Sequence, residues 1–454
     1  MSVNWPTVKL GEIVEITSSK RVKRADYVDQ GVPFFRSKEV IERSKGNRIS
    51  TELFITEKHF EHIENKIGAP KEGDILLTSV GTLGIPYQIE KHDRFYFKDG
   101  NLTWFRNFSS CVNSNFLYYW LTSPVAKQKF DEVTIGSTQK ALTIVALKSI
   151  DLQLPPIPKQ EYIASILGSL DGKLSINRHI NQTLEQIAQA LFKSWFVDFD
   201  PVNAKIAVLE SGGCVDEAEL AAMGVIAAKS PDELAELKQS KPEAYEKLAQ
   251  TAALFPSTKQ ESELGEIPKG WEVKSFGDVS KCYDSKRIPL SKKKREEKKP
   301  GLIPYYGATS IMDYVNEWIF DDTYLLLGED GSVVKDDGTP FVQYIWGKAW
   351  VNNHAHVLQG VNGVSTEQLM IFIQSQNIAA FVTGAVQLKL NQGNMNSIPF
   401  LKANEVLNAK FQELITPSYE DIRSSHDQSL SLIELRDALL PRLLSGELPA
   451  EGNL

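Results

Sequence analysis

Trp5-Pro6-Thr7-Val8-Lys9-Leu10-Gly11-Glu12-Ile13 returns later in the chain as Trp271-Glu272-Val273-Lys274-Ser275-Phe276-Gly277-Asp278-Val279. At a constant offset of 266 residues Trp5 meets Trp271, Leu10 meets Phe276, Gly11 meets Gly277, Glu12 meets Asp278 and Ile13 meets Val279. An internal repeat decides the architecture before any single element does. The same offset carries Ser19-Lys20-Arg21 onto Ser285-Lys286-Arg287 and then drifts, as loop insertions require. Pro33-Phe34-Phe35 matches Pro304-Tyr305-Tyr306, and Ile75-Leu76-Leu77 followed by Gly81 matches Leu325-Leu326-Leu327 followed by Gly331. Ser149-Ile150 matches Ser397-Ile398, and the order is kept throughout.

A helical stretch follows each repeat. No proline lies between Pro158 and Pro201, which leaves room for about 37 residues of helix, roughly 55 Å long. Ile180, Leu184, Ile187 and Leu191 recur there at heptad spacing, and Leu432, Leu435 and Leu439 continue a similar pattern near the C-terminus. Each helix is either a core helix of its own globule or half of a helix–helix pair. The length of both and their place at the end of each repeat favour the pair, as a coiled coil. Asn177 beside the seam either fixes its register or is exposed. The chain divides into a first head at 1–158, a long helix at 159–199, an acidic helical insertion and linker at 200–268, a second head at 269–402, and a second long helix with a tail at 403–454. Within the insertion Ser230-Pro231-Asp232-Glu233 is a helix start, and Ser257 to Pro268 reads as a polar linker. Runs such as Asp74–Leu77 and Tyr324–Leu327 are strands, while Asn115–Thr122 and Thr366–Gln374 are helices, so each head is α+β.

With 454 residues the chain is too long for one ordinary core. Its hydrophobic content of 42% is that of a water-exposed globular protein, and no apolar run is long enough to span a membrane. Met1 to Lys9 lacks the apolar stretch of a secretory leader, and Cys111, Cys214 and Cys282 fit neither a disulfide framework nor a zinc spacing. A cytoplasmic location is the expectation. The net charge of −8 argues mildly against nucleic acid, but the average conceals local runs. Lys286 to Lys299 holds eight basic residues against two acids, whereas Glu210 to Lys247 holds nine acids against four bases. Phosphates respond to charge within about one Debye length, roughly 8 Å, so a basic run on an acidic chain is compatible with DNA. A solvated lysine-rich loop has the same composition.

Four motifs carry a family resemblance: the Trp…Lys…Leu/Phe-Gly-Asp/Glu opening of each repeat; Leu154-Pro155-Pro156-Ile157-Pro158 with Gln160 and Ile163; Lys193-Ser194-Trp195-Phe196-Val197-Asp198-Phe199; and Leu439-Leu440-Pro441-Arg442-Leu443-Leu444-Ser445-Gly446-Glu447. They resemble, in order and over almost the whole chain, the specificity subunits of type I restriction–modification systems. The resemblance implies two similar target-recognition domains that each read one half of a split DNA site. Two helices would pair antiparallel, with approximate two-fold symmetry. It also implies two methyltransferase subunits and restriction (motor-nuclease) subunits as partners, which would use S-adenosylmethionine, ATP and Mg. This chain would carry no cofactor, no metal and no catalytic centre. One departure is visible: Ile398-Pro399-Phe400-Leu401 stands where the first half has Leu154-Pro155-Pro156.

Catalytic motifs are missing. Neither Leu154-Pro155-Pro156-Ile157 nor Asp200-Pro201-Val202-Asn203 is the Asn/Asp-Pro-Pro-Tyr/Phe string of an adenine methyltransferase, and no phosphate-cradling Gly-x4-Gly-Lys-Ser/Thr run occurs. Pro231-Asp232 with Glu236-Leu237-Lys238 superficially resembles a metal-nuclease string, but its position at a helix start favours a cap. His354 and His356 alternate as on one face of a strand, without an evident third ligand. DNA reading needs Arg or Lys for guanine, Asn or Gln for adenine, and Lys, Ser or backbone for phosphate. The candidates are Lys20, Arg21, Arg24, Arg36, Lys38, Thr82 and Lys140 in the first head. In the second they are Lys286, Arg287, Lys292, Lys293, Arg295, Tyr306, Asn353, His354 and Lys389. Lysines are expected on phosphates, arginines and Asn353 on bases; taken singly, each is equally compatible with a plain surface role.

Overall fold

Each repeat closes on itself through its own first and last strands. Thr7–Lys9 pairs antiparallel with Asp151–Gln153, and Glu272–Ser275 pairs in the same way with Pro399–Lys402. A single helical turn follows the first strand of each pair, Leu10–Ile13 and Phe276–Val279, and buries its apolar residues. Both turns carry the repeated glycine because a neighbour crosses closely: a Cβ on Gly11 would stand 2.8 Å from the Cβ of Lys148, and one on Gly277 2.9 Å from the Cβ of Asn396. The repeated Trp5 and Trp271 are buried. The structure, a computed structural model, describes residues 5–47, 49, 51, 53–136, 140–384 and 386–448.

The heads share one sheet order. In the first, Glu15–Thr17, Leu102–Arg106, Ile75–Thr78 and Pro86–Gln88 lie side by side, all antiparallel. In the second, Ser280–Cys282, Ala355–Gly360, Tyr324–Gly328 and Val342–Ile345 reproduce that order and those directions. Each head adds a second four-stranded sheet containing one parallel pair, Phe34↔Tyr96 and Tyr305↔Trp350. Here the connections differ, which is where the sequence offset drifts. The helices Ser114–Thr122 and Thr366–Ser375 pack their buried faces into the same cores as the inner sheets. The expected α+β heads are therefore present, with strands and helices within a residue or two of the expected bounds.

The long helices are Ile157–Phe196 and Glu405–Leu444, 40 residues each. The chain divides into two compact units, Met1–His179 with His426–Leu454, and Ile180–Ser425, so each unit holds part of both helices. In the first unit Asp171 meets Arg436, and Asn177 Nδ2 donates to Gln428 Oε1 at 2.8 Å and to Ser429 Oγ at 3.2 Å. In the second, Asn181 Nδ2 donates to the Ile422 carbonyl, and Phe192, Trp195 and Phe196 surround Phe411 at ring separations of 5.9, 5.9 and 5.0 Å. Numbers rise on one helix as they fall on the other, so the pairing is antiparallel in each unit.

The seam expected from the apolar spacing needs correction. Leu184 and Leu191 pack against the core, but Ile180 and Ile187 are 41% and 56% exposed. The buried stripe runs Leu174, Asn177, Asn181, Leu184, Ala188 and Leu191, one position away from those isoleucines. Two asparagines and an alanine hold seam positions, so apolar residues alone select the wrong neighbours. On the second helix Leu432 and Leu439 are half-buried, while Leu435 is 47% exposed; Leu440 and Leu443 are buried instead.

Residues 200–268 also differ from expectation. The stretch read as containing one short helix contains four, Asp200–Glu210, Val215–Ala227, Pro231–Ser240 and Pro242–Ala253. The stretch read as a linker forms a hairpin, Lys259–Ser262 against Gly265–Pro268. Its strands are mostly polar, and Ile267 is the one large apolar side chain it buries, which is why no strand pattern showed. Val202, Phe255 and Ile267 join the core around Trp195 and Trp271. Lys205, almost fully buried, reaches Glu219 at 2.6 Å and the Phe255 carbonyl at 2.8 Å. The nuclease-like string is a cap: Ser230 N donates to Glu233 Oε2 at 2.7 Å, and Glu233 N returns to Ser230 Oγ.

Removing a large ring from a filled core loses both transfer energy and packing. Phe411→Ala is expected to destabilise the second unit by about 3–5 kcal/mol in urea unfolding, and Ile187→Ala to change it by less than about 0.5 kcal/mol. Equal costs would restore Ile187 to the seam.

Candidate nucleic-acid interface

Lys286 and Arg287 follow the inner-sheet strand Ser280–Cys282, Lys38 stands on the short helix Ser37–Ser44, Lys292, Lys293 and Arg295 stand on the short helix Lys292–Glu297, and Tyr306 ends a strand of the second sheet, Ile303–Tyr306. In the second head the chain leaves Ser280–Cys282 through Tyr283, whose ring lies beneath Lys281 Nζ and Lys286 Nζ at 5.1 and 5.2 Å. Asp284 follows. Its Oδ1 accepts from Val357 N at 3.0 Å, and its Oδ2 lies 2.5 Å from His356 Nδ1 and 3.1 Å from Arg287 Nη2. Burial alone would raise the Asp284 carboxyl; the hydrogen bond and charge of His356, the Val357 N–H and Arg287 overcome it and hold the group below the ordinary aspartate range. Arg287 also reaches the Asp284 and Ala355 carbonyls and Glu329 Oε2, the last two at 2.7 Å.

The structure therefore gathers Arg287, His354 and Lys389 around acidic residues that composition did not single out. His354 Nδ1 pairs with Asp330, and Lys389 Nζ stands 3.6 Å from Glu329 Oε1. Asn353 beside them is exposed, and the buried Asn352 accepts the His354 N–H. His354 and His356 do not form a shared ligand pair: one faces Asp330, the other is buried between Asp284 and the Leu390 carbonyl. Among the described residues the single group able to share a metal is Cys282, Asp284 and His356. That carboxylate already faces a ring nitrogen, a guanidinium and a backbone N–H, and burial pushes the Cys282 thiol up to about 12, away from the thiolate a metal needs. The cluster is an ion network closed by protein cations.

The basic run divides in two. Lys292 and Lys293 are exposed on the short helix Lys292–Glu297, which Ser291 caps. Arg295 is held by Asp313 and the Leu290 carbonyl, both at 2.9 Å, and lies over the Tyr305 ring. Tyr306 is half-buried, and burial pushes its phenol up to about 12, so it stays a neutral hydroxyl.

In the first head Arg21, Arg24, Lys38, Thr82 and Lys140 are exposed and Lys20 is half-buried, its N–H donating to Tyr96 OH at 2.8 Å. Arg36 instead pairs at 2.8 Å with the buried Glu39. Burial would raise Glu39, but the Arg36 hydrogen bonds overcome that and hold its carboxyl low. Val80 bridges Ala141, next in the chain to Lys140; the counterpart bridge in the second head joins Asp330 to Lys389. Asp284, Glu329 and Asp330 were missed because DNA contacts call for cations, whereas His356, singled out beside His354, proves to be a hydrogen-bonding residue. The Asp284–Arg287 spacing was the available signal.

A depressed carboxyl pKa contributes stability above its unfolded value and loses it as pH falls through the folded value. Asp284→Asn is expected to cost on the order of 1–3 kcal/mol at pH 7. The gap from the parent should be full above about pH 4 and close below it. Urea midpoints along that series check this; a gap independent of pH would show that the charge of Asp284 is unimportant.

Comparison with known proteins agrees with this duplicated architecture. A family model described as the type I restriction modification DNA specificity domain matches residues 2–186 and again 268–401. The type I restriction enzyme HindI specificity subunit of Haemophilus influenzae is 30% identical over 363 residues, covering 75% of this chain and 78% of that one. The MjaIX specificity subunit of Methanocaldococcus jannaschii is 25% identical over 477 residues, covering 99% and 94%. Among solved structures, a type I restriction–modification S subunit from M. genitalium matches with a TM-score of 0.51 at 15% identity over 97% of this chain and 96% of that chain, which shows likeness of fold.

Proposed function

Since the chain belongs to the family of type I restriction–modification DNA specificity subunits, we propose that its two heads read the two halves of one split DNA site on behalf of partner subunits. The observation that carries this reading is the duplicated inner sheet with different loops at its strand ends. One framework used twice gives two reading heads, and loop divergence lets the half-sites differ, as with paired half-site readers.

Lys20, Lys38, Lys140, Lys286, Lys292, Lys293 and Lys389 are assigned to phosphate; all but half-buried Lys20 are exposed. Arg21, Arg24 and Asn353 are exposed and assigned to base edges, as is the exposed Thr82. Arg36, Arg287 and Arg295 have their guanidinium groups in internal ion pairs and are assigned to holding the loops. Tyr306 supports the same surface, and the half-exposed His354, paired with Asp330, stands on it beside Asn353.

Exposed apolar side chains on the long helices, Ile176, Ile180 and Ile187 on the first and Leu430 and Leu435 on the second, suit docking of two methyltransferase subunits, with restriction subunits completing the complex. Adenine methylation and DNA cleavage, with S-adenosylmethionine, ATP and Mg, belong to those partners; this chain supplies recognition, without a catalytic centre, in the cytoplasm. Among the described residues no helix is long and apolar enough to cross a membrane.

Co-expression with the neighbouring methyltransferase gene and genome-wide mapping of N6-methyladenine tests the reading. One split motif with a fixed gap is expected, altered on one side when one head is exchanged. A soluble complex without methylation would favour a protein-binding adaptor. For the complex, Lys389→Ala is expected to lower the log–log salt slope of DNA affinity by about 0.9 for all sequences alike. Arg21→Ala should cost about 1–3 kcal/mol at one base position. Identical effects from both would overturn the division of roles.

A further inference from the structure

Four separate segments of the second head meet at one buried set of charges. Asp284 and Arg287 come from the turn after Ser280–Cys282, Glu329 from the loop after Tyr324–Gly328, His356 from Ala355–Gly360, and the Leu390 carbonyl from the loop beyond Thr383. His356 is 1% exposed, and the Arg287 side chain 11%. The Leu390 carbonyl can only accept, so His356 Nε2 donates to it at 2.8 Å, and Nδ1 faces the Asp284 carboxylate at 2.5 Å. The Arg287 guanidinium joins the two carboxylates, at 3.1 Å from Asp284 Oδ2 and 2.7 Å from Glu329 Oε2. A buried cluster of this kind is costly to disturb, because removing one partner leaves an uncompensated charge.

Backbone bonds tie the same segments together. Leu390 N donates to the Glu329 carbonyl at 2.8 Å, Gly331 N to Leu388 at 3.0 Å, and Glu329 N to His354 at 2.9 Å. The exposed Asn353 and Lys389, and His354 with them, stand on these segments.

The first head has the same lattice and different chemistry. Leu77↔Thr103 corresponds to Leu327↔His356, and Leu142 N donates to Ser79 at 3.0 Å as Leu390 N does to Glu329. Where the second head places Glu329 and His356, the first places Ser79 and Thr103, two buried hydroxyls 2.6 Å apart. Ser18 stands in place of Asp284, and Arg21, at the position of Arg287, is exposed.

We propose that Asp284, Arg287, Glu329 and His356 are positioning residues: a buried ionic lock fixes the loops that present Asn353, His354 and Lys389 to DNA, so one half-site is read through a charge network and the other through a neutral hydroxyl pair. The inference rests on the heads being DNA readers.

The test uses the chain assembled with its methyltransferase partner and measures methylation of the cognate site and of sites altered by one base in either half. Unmodified discrimination should be about 5- to 150-fold per altered base. Arg287→Met is expected to reduce it to about threefold or less at two or more positions of the second head's half, with the first half unchanged. Arg287→Lys, which keeps the charge, should recover most of the loss, and Ser79→Ala should leave the second half intact. A merely structural defect would lower assembled complex and methylate all sites in proportion, leaving these ratios unchanged. If Arg287→Met fails to assemble, Glu329→Gln carries the same comparison. Unchanged ratios in the second half, equal loss in both halves, or no recovery by Arg287→Lys would overturn the lock. An unmodified complex that methylates no split site would instead overturn the DNA-reading assignment, and the lock with it.

Discussion

Neither head fills its core from its own repeat alone. The core of the first includes Leu440 and Leu443 from the end of the second long helix, beside Ile163 and Leu167. The core of the second includes Ala188, Phe192, Trp195 and Phe196 from the end of the first, around Phe411 and Trp271. Burial of large apolar rings is the dominant favourable term in folding, so each head depends on antiparallel pairing with a helix that begins in the other repeat. The pairing is therefore part of both cores.

Polar residues set the register of that pairing. Asn177 is almost fully buried and bonded across the pair to Gln428 and Ser429; Asn181 reaches the Ile422 carbonyl. A buried amide tolerates few alternative alignments, because sliding the helices would leave it unsatisfied. The same asparagines interrupt the apolar pattern, so the feature that fixes the register also hid the seam.

The heads divide a repeated framework from divergent strand ends. Paired end strands, the tight turn with its glycine and the inner sheet are repeated almost unchanged. At the strand ends the chemistry diverges, hydroxyls in one head and a charge network in the other. The loops are free to change because the ladder beneath them holds its own hydrogen bonds. Several cations that appeared available for DNA are consumed in that support: Arg36 by Glu39, Arg287 by Asp284 and Glu329, Arg295 by Asp313. Arg21, Arg24 and Lys286 remain exposed, as does Lys389 beside Glu329.

The sequence alone determined the duplication, the α+β character of each head, the two long helices and the family. These rest on local patterns: Trp5 and Trp271, the glycines that a close neighbour demands, the Leu-rich strands and the proline-free run after Pro158. Only tertiary structure decided which helix face is buried, that Lys259–Pro268 is a hairpin, and which basic residues are already paired. Those outcomes depend on partners far apart in the chain, such as Ile267 entering a core built by Trp195 and Trp271, or Glu329 meeting Arg287. A composition window cannot see them, because a charge or an isoleucine reads the same in sequence whether its partner is water or a residue many positions away.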